Sequence, residues 1–435
     1  MVTGQALVRH LSHAQRSTGE RDRPRPPLDP PFDTRYSAIG IRMIVLHVIT
    51  RLIQGGAQQN TVLCCADQVR RGHEVHLAFG PIFGPEGSLR DEATDSGATL
   101  HELPSMVRPV HPWHDWRVTR QLQHLVRRVR PDVVHTHSSK AGIVGRAAAW
   151  KMRVPLVIHT VHGLPFHDRQ RWLVHHAYVA LERWAARRCH HLIAITPAMV
   201  DAFAAARIAP PPPFTVIPSG VDLSRFKVFN TWRSHARREM GIAQDAPVVA
   251  LLARLDELKG HDDLLDILPD LLDRVPGLRV VFIGDGWRRR HLELRVAREG
   301  FGQRVLMTGL VPHAEVGRLL CAADVKVLPS YQEGQSRTLV EALLCGCGVV
   351  AYDVGGIGAI VQDGKTGRLV KMGDRAALRD AILWMLEHPA ERAALVEAGR
   401  AHVRERFDAA AMVAQVAALY ERLLGDAANF ADRRT

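Results

Sequence analysis

The sequence predicts an α/β protein built as two tandem, doubly wound domains that face each other across a cleft. Three observations carry that prediction. The chain has 435 residues, too many for one ordinary core and enough for two domains of roughly 170 to 200 residues each. Short apolar runs of strand length alternate with longer amphipathic runs, the pattern of a parallel sheet covered on both faces. The alternation also runs through twice, with a break soon after Asp222. On this reading residues 1–40 are a disordered extension, 41–225 the first domain and 226–410 the second. Residues 411–435 are a C-terminal helix, packing back towards the first domain, and a tail.

Each element follows in order. Residues 21–33, "RDRPRPPLDPPFD", are rich in proline and charge and have no period, which predicts disorder. "RMIVLHVIT" (42–50) is the first strand. "AQQNTVLCCADQVRRG" is the helix after it, and "HEVHLAFG" the next strand. "DVVHTHS", "VPLVIHTVHG", "HHLIAIT" and "FTVIPSG" continue the sheet, with "WLVHHAYVALERWAARRC" among the intervening helices. "RIAPPPPF" (207–214) is a loop. The second series is "PVVALLAR", "LRVVFIGDG", "RVLMTG", "DVKVLPS" and "CGVVAYD". "DAAAMVAQVAALYERLLG" (408–425) is the long amphipathic helix that closes the chain.

Composition narrows the function classes. No run of about 18 apolar residues predicts a membrane-spanning helix, and the N-terminus lacks the apolar core of a signal peptide. The six cysteines fit neither a disulfide framework nor a zinc site, so a cytoplasmic location is expected. The net charge of +12 is uneven: residues 41–222 carry 21 Lys/Arg against 13 Asp/Glu, while 223–435 carry 30 against 28. A basic first domain suits an anionic substrate or membrane. No nucleic-acid module is recognisable, and no nucleic-acid partner is expected.

The motifs lie where ligands bind in such sheets, beyond the carboxyl ends of strands. In "QGGAQQN" (54–60), Gly55 and Gly56 let backbone approach a ligand at a helix start that favours an anion; a plain strand-to-helix turn is the alternative. "FIGDGWRRR" has two glycines of a dinucleotide fingerprint, with Arg289 where the third would stand. "ARLDELKGHDDLL" sets Arg254 at a strand end and Lys259 in the loop beyond, two cations that suit a diphosphate or form a solvated loop. Its acidic pair, Asp262 and Asp263, reads as helix capping. "TVHGLPFH" puts His162 at a strand end, a site position rather than a core one, among 24 histidines. In "EGQSRTLVE" (333–341), Glu333 falls in a strand-to-helix loop and Glu341 in the helix. One carboxylate can meet sugar hydroxyls, the other a ribose, with the amides of Thr338 and Leu339 between them for phosphates. A capped helix with an acidic first turn is the alternative.

In this order, "GGAQQN", "RRGHEV", "DVVHTHS", "TVHGLPFH", "VIPSGVD", "ARLDELKGH", "FIGDG", "TGLVP" and "LPSYQEGQSRTLVEALLCG" resemble the retaining glycosyltransferases of the GT-B fold, in the large family numbered four. The resemblance runs from about residue 43 to 425. It implies that Glu333 contacts the donor sugar, that Glu341 binds the ribose and that His162 hydrogen-bonds the sugar near the reacting centre. Arg254 and Lys259 would hold the leaving diphosphate, with Gly55 and Gly56 approaching it and the backbone of Thr338 and Leu339 cradling phosphate. It implies no obligatory metal or other cofactor, and a nucleoside-diphosphate sugar, expected as a UDP-sugar, for donor. Two departures bear on the donor: Ala359 replaces a common glutamate, and Gln335-Ser336 follow Glu333-Gly334 near the expected sugar.

The expected reaction is transfer of a hexose to an acceptor hydroxyl with retention, in cell-surface polysaccharide or glycolipid synthesis. No nucleophilic carboxylate stands out in the first domain, which favours front-side attack. The tryptophans and arginines of residues 113–130 and 169–188 suggest a lipid-linked or polysaccharide acceptor and docking on an anionic membrane, at the inner face of the plasma membrane; a buried apolar stripe with solvated arginines is the alternative. A catalytically impaired sugar-nucleotide-binding partner subunit and a nucleotide-sugar epimerase are the competing functions.

Overall fold

The computed structural model describes residues 42–83, 86–166, 170–208, 213–226 and 230–432. The extension read over residues 1–40, and residues 209–212 of the proline loop, lie outside the described residues. Two parallel sheets organise the rest. The first contains β1 (Ile44–Arg51), β2 (Glu74–Gly80), β3 (Thr99–Glu102), β4 (Val133–His137), β5 (Leu156–Val161), β6 (His191–Ala194) and β7 (Phe214–Val216), in the order β3-β2-β1-β4-β5-β6-β7. The second contains β8 (Val248–Leu252), β9 (Arg279–Ile283), β10 (Val305–Met307), β11 (Val325–Leu328), β12 (Gly348–Tyr352) and β13 (Arg368–Val370), in the order β10-β9-β8-β11-β12-β13. Helices cover both faces of each sheet, so the central strands are buried on both sides: β8 is an unbroken apolar run, whereas β1, β4 and β11 also bury His47, His135, His137 and Lys326.

Two strands, β3 and β13, escape the sequence pattern. Each is the outermost strand of its sheet and pairs on one side only. Neither is fully buried, so neither needs the mostly apolar run of a strand buried on both faces.

The chain passes between the sheets twice, and the two passages touch. Val221 bridges Asp408 in parallel, and a Cβ on Gly220 would lie 2.4 Å from the Cα of Ala409. Beyond that crossing the helix Ala409–Asp432 returns to the first sheet. Its Met412, Val413, Val416, Leu419 and Tyr420 share a buried core with Met43, Val45, Ile158 and Ile193.

Candidate functional site

Strand order reverses once in each sheet, between β1 and β4 and between β8 and β11. A crevice opens beyond the carboxyl ends of strands at such a reversal, because successive connections leave for opposite faces. Gly55 and Gly56 follow β1, His162 follows β5, Arg254 follows β8, and Glu333 lies beyond β11. The two carboxyl edges meet. A Cβ on Gly334 would lie 2.6 Å from the His162 carbonyl oxygen, and Gln332 Nε2 donates to the Leu164 carbonyl at 3.3 Å. The loop bearing Glu333 therefore abuts the backbone of His162.

Each cation of the site has a carboxylate. Lys259 Nζ donates to Glu333 Oε1 at 2.7 Å. Arg254 donates to Glu86 Oε1 at 2.7 Å, and Arg51 donates to the other oxygen of Glu86 at 2.6 Å. Burial opposes the charge on Glu86, but the two arginines outweigh it and hold its carboxyl below the usual range. Lys259 is positioned by Gly260, whose φ of 69° suits glycine and whose Cβ would collide with the Pro329 carbonyl. Sequence reasoning missed Glu86 and Arg51, which lie in irregular backbone and at a strand end with no motif around them.

Glu341 is buried on the helix Arg337–Leu344 and accepts from His313 Nε2 at 3.2 Å. Burial opposes its charge, yet the His313 hydrogen bond and the charges of His313, Arg337 and Lys326 hold its carboxyl below the usual range. At the start of that helix the Leu339 amide bonds the Ser336 carbonyl at 3.2 Å, and the Thr338 hydroxyl meets that of Ser336 at 3.1 Å. Ser336 caps nothing with its side chain.

Three expectations need correction. Asp262 and Asp263 do not cap their helix; Gly260 stands at the cap. Asp262 pairs with Arg288 and Arg295, while Asp263 accepts from the hydroxyls of Tyr331 and Tyr352 at 2.6 and 2.7 Å. Gln335 is engaged by the inter-sheet linker: its amide accepts from Ser219 N and donates to Ser219 O, both at 2.8 Å. The space left by Gly56 is filled by protein, since a Cβ there would lie 3.1 Å from Arg337 Cδ. Arg337 in turn donates to Asn60 Oδ1 at 2.9 Å, and Asn60 Nδ2 to Ser219 Oγ at 2.7 Å. Gly284 and Gly286 also serve packing, because a Cβ at either would strike the carbonyl of Ala253 or Leu255.

Behind His162 lies a row of buried histidines that no motif announced. His162 Nε2 meets His137 Nδ1 at 3.1 Å, His137 Nε2 meets His47 Nδ1 at 3.0 Å, and His47 Nε2 meets Gln68 Oε1 at 2.8 Å. Beside them His135 bonds Tyr420 Oη and, at 2.7 Å, Thr160 Oγ1. Burial keeps these rings neutral: it lowers His47 to about 4 and His162 to about 3, and pushes His135 and His137 well below the ordinary value. His47, His135 and His137 offer nitrogens within 4.8 Å of one another, the spacing of a metal site. All six of their nitrogens already have protein partners, so the set is satisfied as a hydrogen-bonded group.

Exposed aromatic residues flank the cleft. Trp113 and Trp116 stand 58% and 52% exposed near the start of the helix Pro112–Val129, and Trp172 and Leu173 69% each at the start of the helix Trp172–Ala186. Both starts follow carboxyl ends of strands, β3 and β5, which puts them on the cleft side of the first sheet. Arg117, Arg120 and Arg171 are exposed around them.

Comparison with known proteins gives two family matches. Residues 54–225 match the model described as Glycosyltransferase Family 4, and residues 233–402 match Glycosyl transferases group 1. A D-inositol 3-phosphate glycosyltransferase of Actinosynnema mirum is 34% identical over 63% of this chain and 68% of its own. The UDP-Gal:alpha-D-GlcNAc-diphosphoundecaprenol alpha-1,3-galactosyltransferase of Escherichia coli is 28% identical over 68% of this chain and 77% of its own. Among solved structures, Anabaena Alr3699/HepE in complex with UDP-glucose superposes with a TM-score of 0.74 at 22% identity, covering 88% of this chain and 100% of that one. Sucrose-phosphate synthase of Thermosynechococcus elongatus superposes at 0.73 with 20% identity, covering 88% and 100%. The two sheets thus have the two-domain GT-B arrangement.

Proposed function

Because the chain belongs to the glycosyl transferases group 1 family and is a glycosyltransferase using a nucleotide-sugar donor, we propose that it moves a hexose from a UDP-sugar to an acceptor hydroxyl with retained configuration. The observation that carries this reading is the meeting of the two carboxyl edges, with His162 on one side and Lys259, Glu333 and Arg254 on the other. The Lys259 and Arg254 cations stabilise charge on the diphosphate as the sugar leaves, and fixed charge in a closed site costs no reorganisation at that moment. Glu333, steadied by Lys259, holds sugar hydroxyls, and Glu341 the ribose. The leaving phosphate takes the acceptor proton in a front-side attack, so no protein carboxylate becomes glycosylated.

The acceptor is a lipid-linked or polysaccharide hydroxyl. Support comes from the exposed tryptophans and arginines beside the cleft, which suit an anionic membrane surface. The Escherichia coli relative is named for a diphosphoundecaprenol acceptor.

Nucleoside-diphosphate release from UDP-, GDP- and ADP-sugars, by wild type and Glu333→Ala, tests the reaction. Release from one donor, lost in the variant, is expected. No release from any of them, with a lipid extract as acceptor, would bring forward a binding subunit without transferase activity. Proton NMR of the product from an α-linked donor reads the configuration, and a β-linked product overturns retention. Flotation with anionic and neutral vesicles reads the docking surface; equal recovery with both counts against it.

A further inference from the structure

The row of hydrogen bonds behind His162 has a direction. A neutral imidazole has one N–H and one bare nitrogen, so in an unbroken row each ring fixes the next. His47 and His137 are buried and His162 is half-buried, and burial holds all three rings neutral, as described above. At the far end stands Gln68, whose Oε1 can only accept, so the His47 proton is on Nε2. His47 Nδ1 is then bare and takes the Nε2–H of His137. His137 Nδ1 is bare in turn and takes the Nε2–H of His162.

The near end agrees. His162 Nδ1 is buried and has no hydrogen-bond partner among the described residues. With the row reversed, that atom would carry a buried and unpaired N–H, the rarer and costlier defect. Gln68 also stands beside the Tyr420 hydroxyl on the returning C-terminal helix. That hydroxyl meets His135 Nδ1.

We propose that Gln68, His47 and His137 are positioning residues that fix His162 as its Nε2–H tautomer, so that the bare Nδ1 meets the donor sugar as a hydrogen-bond acceptor. The proposal rests on the reading of His162 as a donor-site residue. It assigns the sugar a hydroxyl that donates at this contact.

The test uses the full chain labelled with nitrogen-15 at histidine. Long-range proton–nitrogen spectra distinguish the two tautomers, and loss of signals in His162→Asn assigns the ring. Wild type is expected to show a protonated Nε2 and a bare Nδ1 at His162. His137→Leu breaks the row and should leave His162 with mixed tautomers. His137→Gln, whose amide donates to His47 and accepts from His162, should restore the wild-type form. Turnover with the donor found above should fall about tenfold in His137→Leu, the equivalent of one misplaced hydrogen bond. It should recover in His137→Gln, while UDP affinity stays unchanged in both. Gln68→Leu breaks the row at its other end and serves the same purpose if His137→Leu does not fold. A protonated Nδ1 in wild type, an unchanged tautomer in both leucine variants, or a stoichiometric metal ion on the histidines overturns the proposal. The spectra need no donor, so their failure overturns the row alone. The expected tautomer with no donor turned over overturns the reading of the site instead.

Discussion

Lys326 shows at the scale of one residue what the site costs. It sits in β11 with 0% exposure, and its Nζ has no hydrogen-bond partner among the described residues. Burial lowers it from 10.5 to about 7, against the pull of Glu333 and Glu341 and with the push of Lys259. Between those two values the unfolded chain binds a proton that the folded chain refuses, so this group makes stability rise with pH by about 1.4 kcal/mol per unit. Lys326→Met is therefore expected to be more stable than wild type at pH 7. Its advantage should shrink as pH climbs towards 10, as read by urea unfolding. It should also be less active at pH 7, since it removes a partly protonated amine from among Lys259, Glu333 and Glu341. At the same scale, Lys259→Ala should slow donor turnover by about 10²-fold or more; near-normal turnover would remove the lysine from the mechanism.

Between elements, the clearest joint is the one that links the helix Gly56–Arg70 to the helix Arg337–Leu344 through Asn60 and Arg337. Arg337 is buried, and its Nε already lacks a hydrogen-bond partner among the described residues. Asn60→Ala removes the Oδ1 acceptor from a buried guanidinium, an effect of about 2 kcal/mol or more. A thermal midpoint lowered by several degrees is expected; an unchanged midpoint would mean that the joint contributes little. This joint marks the boundary of what the sequence discloses. The central strands are legible because burial on two faces demands mostly apolar, β-rich runs, and the loop positions of Arg254, Lys259, His162 and Glu333 follow from where strands end. Edge strands β3 and β13 lack that demand. Partners such as Glu86 for Arg254, His313 for Glu341 and Ser219 for Gln335 are distant in sequence, and each is one polar residue in an unremarkable segment. The sequence places Gln335 near the sugar because the linker it binds has no sequence mark. The histidine row is hidden for a different reason: a strand-length run does not show that His47 of β1 and His135 and His137 of β4 come together once the two strands pair.

Over the whole molecule, the buried histidines set the acid limit. His47, His135, His137, His159 and His162 are all depressed by burial, from an ordinary value of 6.5. Below that value the unfolded chain takes up protons that the folded chain excludes, so stability is full above it and falls as pH drops towards the depressed values. Unfolding at about pH 5 should take up about two protons or more, measured from the slope of unfolding free energy against pH. A slope below one proton would show these rings to be open to solvent. The returning helix makes a second prediction. Removing residues 409–435 uncovers the apolar face formed by Met43, Val45, Ile158 and Ile193. The shortened chain should bind a hydrophobic dye and lose its first sheet to protease, while a fragment containing the second sheet survives.

The crossing at Gly220 and Ala409 also bears on how the molecule is made. Residues 222–407 are one uninterrupted stretch, whereas the unit built on the first sheet needs both ends of the described chain. On the ribosome, the second unit has everything it requires as soon as it emerges. The unit whose synthesis begins earlier must wait for Tyr420 and its neighbours, so the order of completion is the reverse of the order of synthesis.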